Sequence, residues 1–408
     1  MMNRWCMVIT GNRYLQKDFT VIILVILSLS SFNVSAGQSY QFGLGVQIID
    51  AVLWDDTRRL ERLLSSGVKL NEVTFSENLY PLMLAAERNQ EAIAGVLIRH
   101  GALVNRSIMQ GYTALYIAAQ NGHVEMVDIL IEAGADVDIT DQTGWTPIMV
   151  AAQNGFVEVV NSLLKAGANP NHRDYTNWSA LHAATRSGHL DVLNSLIKSG
   201  GNVHLISDVA YTILHTAAVS NQPGIIAELV KLKEIDVNSV SPGGYTALHK
   251  ASYLGDEDVV DALLSAGANI HLQDGMGWTA LHAAAYQQKS AMVDYLLKNQ
   301  ADPDIKDIRG TTAIHIASAY GLDRMVKILI EANARVDLKT EDNYTALFMA
   351  AFNGHYETVK LLLEAQADAN YISPEGITVL QIVKNKGYEQ IADILNEYGA
   401  APIISQTQ

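Results

Sequence analysis

Gly244-Tyr245-Thr246-Ala247-Leu248-His249 returns 33 residues later as Gly277-Trp278-Thr279-Ala280-Leu281-His282, and each copy runs on into an Ala-rich stretch and then a Leu-Leu stretch. Working outward in both directions, the anchor position of this motif falls at Tyr80, Thr113, Thr146, Ser179, Thr212, Thr246, Thr279, Thr312, Thr345 and Thr378. Eight of the nine intervals are 33 residues and one is 34. A fixed period of this length is the sequence signature of a repeat array, in which each module buries its apolar face against the next.

The residues explain the module. Thr or Ser at the anchor can cap the N-terminus of a first helix, a bond worth about 1 kcal/mol. Three positions on stand His182, His215, His249, His282 and His315, placed like the third-residue member of a capping box, and Thr378 with Gln381 is the ordinary form of that box. Val259, Val260, Leu263 and Leu264, like Val127, Leu130 and Ile131, form the apolar stripe of a second helix. Gly134, Gly167, Gly200, Gly267 and Gly399 follow that helix where a left-handed residue closes it, and Asn333 tolerates the same conformation. Gln300 and Gln366 depart from the pattern and put those two helix ends in doubt, since a left-handed residue other than glycine costs about 1 kcal/mol. The 34-residue interval places an irregular joint between Leu229 and Asn238.

At these motifs the chain resembles the ankyrin-repeat family over residues 44 to 400. The resemblance implies an all-α repeat fold, an ankyrin solenoid of helix-turn-helix units with β-hairpin fingers, and ten units would extend on the order of 100 Å at ordinary helix spacing. The organisation expected is a signal peptide over 1–36, a linker and degenerate capping repeat over 37–76, tandem repeats over 77–375, a C-terminal capping repeat over 376–400, and a tail over 401–408.

The leader is read from Arg4, Arg13 and Lys17 ahead of Val21–Leu29, an apolar run too short to span a bilayer of about 30 Å as a helix, followed by the small residues of Val34-Ser35-Ala36. Cleavage before Gly37 takes Cys6 with it and moves the net charge from -15 to -17. The rival reading is an uncleaved signal-anchor from Phe19 to Val34 that tethers the protein to the membrane. The chain is expected to be exported, periplasmic or secreted under cleavage and membrane-tethered under the rival reading, and no later segment reaches the 18 consecutive apolar residues of a spanning helix.

Composition narrows the class. An excess of 43 acidic over 28 basic residues opposes the phosphate neutralisation that nucleic-acid binding needs. One cysteine excludes an internal disulfide, a Cys-rich zinc site and a thiol redox pair. Eight of the twelve histidines occupy two repeated structural columns, the five named above and His123, His189 and His355, so no metal site is expected. His100, His172, His204 and His271 lie at turns without a partner at ligand spacing. Gly275-Met276-Gly277-Trp278-Thr279-Ala280 mimics a dinucleotide fingerprint but sits at a finger tip, and Asp141, Asp174, Asp274 and Asp307, five residues before the anchor, suit turns. No cofactor and no catalytic residue is expected. The chain is read as not an enzyme, with an enzyme or metabolite binder as the minor alternative.

One column remains. Immediately before the anchor stand Tyr112, Trp145, Trp178, Tyr211, Tyr245, Trp278, Thr311 and Tyr344. The resemblance places this column on the inner, concave side, the usual docking face, and tyrosine and tryptophan dominate binding hot spots. On the first helices Tyr253, Tyr286, Tyr320 and Phe352 add aromatics to the later units. A structural role, with each ring packing on the neighbouring finger, is the competing reading and stands beside it. The function expected is an exported, monomeric, non-catalytic scaffold for protein–protein interaction, with a secreted effector that binds a host protein as the alternative. Overall charge favours a basic partner.

Overall fold

The structure is a computed structural model that describes residues 36–74, 79–209 and 211–400. The expected leader up to Ser35 and the tail 401–408 lie outside the described residues. The described residues hold twenty-two α-helices and no named strand. The chain divides into two units, one ending at His172 and one beginning at Arg173.

In the first unit the helices are Ala36–Leu53, Thr57–Ser65, Pro81–Glu87, Glu91–Arg99, Ala114–Asn121, Val124–Glu132, Pro147–Asn154 and Val157–Lys165. They pair first with second, and the first helices of successive pairs pack on one another, as do the second helices. The second unit repeats the arrangement from Ala180–Ser187 with Leu190–Lys198 to Val379–Asn385 with Glu389–Glu397.

The apolar stripe accounts for the packing. Val127 and Leu130 in the first unit, and Val259, Val260 and Leu263 in the second, are fully buried. Each such side chain contributes about 1.5–3 kcal/mol. First helices carry alanine where neighbouring backbones approach, as at Ala283, Ala284 and Ala285.

Second helices end on a left-handed residue in the expected column, including Gly134, Gly167, Gly200, Gly267, Asn333 and Gly399. Gln300 at φ 68° and Gln366 at φ 66° take the same conformation. The doubt over these two ends is therefore corrected: the helices close normally, held there by the packing of their repeats at a local backbone cost. In the unit with the extra residue, the helix Pro223–Leu229 is two residues shorter than the nine of its counterpart Glu257–Ser265. Turns carry the chain from Val230 to Asp236 with no positive φ among these residues, which is the irregular joint.

Each finger is a tight hairpin turn without a named strand among the described residues, closed by a backbone bond such as Asp141 N–H to the Trp145 carbonyl at 2.8 Å. Antiparallel bridges, such as Lys339 with Thr345 and Ile372 with Thr378, form without extending into ladders among the described residues. An aspartate also holds the turn: Asp141 Oδ1 accepts from the backbone N–H of Thr143 at 2.8 Å and of Trp145 at 2.9 Å. Asp174 does the same for Thr176 and Trp178, and Asp274 for Met276 and Trp278. A carboxylate that takes two N–H groups closes the turn locally. Adjacent fingertips are joined by single backbone bonds, such as Gly275 N–H to the Gly243 carbonyl at 2.7 Å and Ile308 N–H to the Met276 carbonyl at 3.1 Å.

Candidate functional site

The aromatic column lies where each finger turns into a first helix, and all seven rings are half-buried. Tyr112 and Trp145 belong to the first unit, and Trp178, Tyr211, Tyr245, Trp278 and Tyr344 to the second. Most lean on the third residue of their own helix, four positions along the chain. Tyr112 stacks on Tyr116 at 4.7 Å between centroids, Tyr211 on His215 at 5.6 Å, and Tyr344 on Phe348 at 5.2 Å. Trp178 lies tilted on His182 at 5.0 Å, and Tyr245 meets His249 edge-on at 6.4 Å. Trp278 turns instead to Tyr286, at 5.0 Å, and its indole N–H donates to Asp307 Oδ2 at 3.2 Å. Such ring pairs are worth about 0.5–1.5 kcal/mol beyond their burial. Six of the seven rings thus spend an edge on their own repeat, and the rest of each is accessible.

Of the added first-helix aromatics, Tyr253 (41% exposed) and Phe352 (43%) are open, and Tyr286 is half-buried under Trp278. Phe352 is drawn toward the column through Phe348, at 6.3 Å. Tyr253 makes no ring contact with a column residue among the described residues.

Trp178, Tyr211 and Tyr245 rest on a buried histidine ladder. His249 Nδ1 accepts from the Thr246 N–H at 3.1 Å and faces the Thr246 hydroxyl at 2.8 Å, completing the capping box. Its Nε2 meets the Trp278 carbonyl, in the next repeat, at 2.8 Å. His215 reaches the Tyr245 carbonyl, His282 that of Thr311 and His315 that of Leu338 in the same way. These bonds select the neutral Nε2–H tautomer, because Nδ1 is the acceptor and Nε2 the donor. His182 is the weak rung: its buried Nε2 is drawn toward the Tyr211 carbonyl without reaching full hydrogen-bond geometry. Burial lowers the pKa of all five; backbone hydrogen bonding opposes the shift, and His182 and His315 still fall to about 4. The capping role was readable from the spacing. The bond to the next repeat was not, although the shared period of the histidine and the carbonyl partner is the signal that points to it.

Two cations in this region have no counterpart in the sequence reading. Lys250 Nζ sits 4.1 Å from the centroid of Tyr245 and 5.6 Å from that of Tyr211. The Arg186 guanidinium lies 6.0 Å from the Trp178 centroid. Burial lowers the Lys250 pKa against the opposing pull of Asp274, and it raises the phenol pKa of Tyr211 and Tyr245. Among the described residues no three His, Cys, Asp or Glu side chains gather as a metal would require, and no helix is long and apolar enough to cross a membrane.

The family model described as ankyrin repeats in three copies matches residues 48–141, 133–207, 200–274, 256–340, 281–373 and 315–406. The chain belongs to the ankyrin-repeat family. Among solved structures it is similar to the human ASB11 ankyrin repeat domain, at 28% identity and a TM-score of 0.50, over 55% of this chain and 99% of that one. No curated protein matches. Ankyrin repeats are general scaffolds for protein–protein interaction, typically without catalysis, and no enzymatic family is matched.

Proposed function

We propose that the protein is an exported, monomeric scaffold that holds another protein on the fingers and first helices of its repeats. The carrying observation is the aromatic column, whose rings are braced against their own repeats and still half-exposed. Braced tyrosine and tryptophan rings lose little entropy on binding, which is why such side chains concentrate interface energy. Tyr112, Trp145, Trp178, Tyr211, Tyr245, Trp278 and Tyr344 supply the contacts, with Tyr253, Tyr286 and Phe352 beside them. The net charge of -15 speaks for a basic partner at long range, where the field of the whole chain acts. Export rests on the leader motif alone.

Binding is tested by affinity capture from the native compartment with the chain and with a Trp145→Ala, Trp178→Ala, Trp278→Ala variant whose circular dichroism confirms folding. Loss of the captured protein by the variant supports the reading; equal capture makes the column structural. N-terminal sequencing tests export, with Gly37 expected as the first residue and an intact Met1 on membranes favouring the tether. Fractionation separates retention in the periplasm from release as an effector.

A further inference from the structure

The chain is acidic overall, but in the second unit its charge is unevenly distributed. From Arg173 to Thr311 the second helices carry Asp191, Glu228, Glu257, Asp258, Asp261 and Asp294 against Lys198 and Lys298. The fingers and first helices of the same stretch carry Arg173, Arg186, Lys250, Lys306 and Arg309. The aspartates on this side are largely spent. Asp174, Asp274 and Asp307 each hold their own finger turn through Oδ1, Asp208 accepts from Asn177, Asp236 and Asp302 each accept from the backbone N–H two residues on, and Asp304 pairs with Arg335.

None of the five cations forms an ion pair among the described residues, whereas Lys231, Lys298, Lys327 and Arg335, elsewhere in the unit, do. Arg173 and Lys306 donate to the Ile206 and Lys339 carbonyls. Lys250 and Arg186 lie over aromatic rings. The carboxylate that acts on Lys250 through space, Asp274, is itself buried and makes no hydrogen bond to it. A ring face leaves an ammonium's remaining donors directed outward, where a strong acceptor gains most. Beside these cations the fingertips expose apolar side chains: Tyr175 (74%), Val209, Met276 and Ile308 (66%).

We propose that the fingers and first helices between Arg173 and Arg309 take a partner segment that alternates carboxylate side chains with apolar ones. Lys250, set between Tyr211 and Tyr245, is the central acid-reading residue, with Arg186 over Trp178 as the second. This deepens the preceding reading and rests on it, because it names the chemistry of what that face holds. It also replaces the long-range expectation of a basic partner by a short-range one. Beyond a Debye length of about 8 Å the acidic second helices are screened at physiological salt, so the cations in contact decide the fit. Adjacent repeats lie about 10 Å apart, so the two repeats separating Arg186 from Lys250 span about 20 Å, the reach of roughly six extended residues.

The test is selection of a random fifteen-residue peptide display library on the immobilised full chain in 150 mM salt, with the bound clones sequenced. Parallel selections use Lys250→Gln, Lys250→Arg, Arg186→Gln, and a Trp178→Ala, Trp278→Ala variant, each first checked by circular dichroism. Asp and Glu should be enriched about threefold over the input, the factor expected of partly exposed ion pairs. That enrichment should fall to background for Lys250→Gln while the apolar enrichment remains, and Lys250→Arg should restore it. Enrichment of Lys and Arg, or acidic enrichment that survives Lys250→Gln together with Arg186→Gln, overturns the acidic segment but leaves the protein-binding face standing. Clones bound equally by the tryptophan variant, or no selected clones at all, overturn both. A fifteen-residue oligothymidine binding as well as the selected peptides would overturn the choice of protein over nucleic acid.

Discussion

At the third position of the first helix the two units of the chain differ. Up to His172 the position holds Met83, Tyr116 and Met149, all buried; beyond it the position holds His182, His215, His249, His282 and His315 before Phe348 and Gln381 take over. Tyr116 spends its hydroxyl on Asp141 Oδ2 at 3.1 Å, a bond to the next finger made by a group that stays neutral at any ordinary pH, since burial raises its pKa. A histidine makes the equivalent link through Nε2 and must also stay neutral, but its ordinary pKa of about 6.5 is within reach of mild acid. The same architectural joint is therefore insensitive to pH in one unit and acid-sensitive in the other. The closing residues differ in parallel: the second helices of the first unit end on Gly67, Gly101, Gly134 and Gly167, whereas Gln300, Asn333 and Gln366 take over part of the second.

The largest effect expected is acid lability confined to the second unit. His182 and His315 fall to about 4 when folded, against 6.5 in the unfolded chain, so between these values the unfolded state binds more protons. Their stability contribution is thus whole above pH 6.5 and is lost as pH falls toward 4, by on the order of 3 kcal/mol for each residue. Glu87, in the first unit, shifts the other way, its pKa raised by burial, so acid favours its folded form. Amide exchange corrected for intrinsic rates, at pH 7 and pH 4.5, should show protection lost across 180–319 and retained across 114–165. Equal loss in both would erase the distinction.

Next in size is His249→Ala, which leaves the Thr246 N–H and the Trp278 carbonyl without their partner and opens a cavity. We expect a loss of about 3 kcal/mol in urea titration at pH 7, together with a shallower dependence of stability on pH. Met149→Ala, the counterpart in the first unit, empties a fully buried site at a similar cost of about 3 kcal/mol and should leave the pH dependence unchanged.

Smaller is Tyr116→Phe, which removes only the hydroxyl bonded to Asp141 and should cost about 1.5 kcal/mol, as hydrogen bonds to charged groups do. The smallest effect tests the closing residues: Gln300→Gly relieves a left-handed conformation and should stabilise by about 0.5–1 kcal/mol in the same titration, while Gly134→Gln should destabilise by a like amount.

How much of this was legible depended on whether the signal was local. Caps at Thr246 and Thr378, the stripe of Val259, Val260 and Leu263, the turn aspartates and the closing glycines follow from short-range geometry, and the 33-residue period displays each of them several times over. The β-hairpin fingers came from the family resemblance, and among the described residues they are tight turns with isolated bridges and no named strand. Gln300 and Gln366 misled because local propensity disfavours the conformation that repeat packing imposes. At the site, the column itself was visible. The stacking of Tyr112 on Tyr116 and of Tyr344 on Phe348 followed a spacing of four residues open to inspection, whereas Lys250 between Tyr211 and Tyr245 joins residues 39 and five apart in sequence, for which no periodicity calls.

The amino-acid sequence by itself determined the repeat, its helices and caps, and which positions carry rings, because these rest on hydrogen bonds and apolar contacts within a few residues and are written again in each module. Only the tertiary structure decided what each histidine's second nitrogen bonds to, how much of each ring stays open, and which cations go without a carboxylate. Those properties belong to pairs of repeats: a side chain's surroundings are set by the module stacked beside it, and no single module encodes its neighbour's surface.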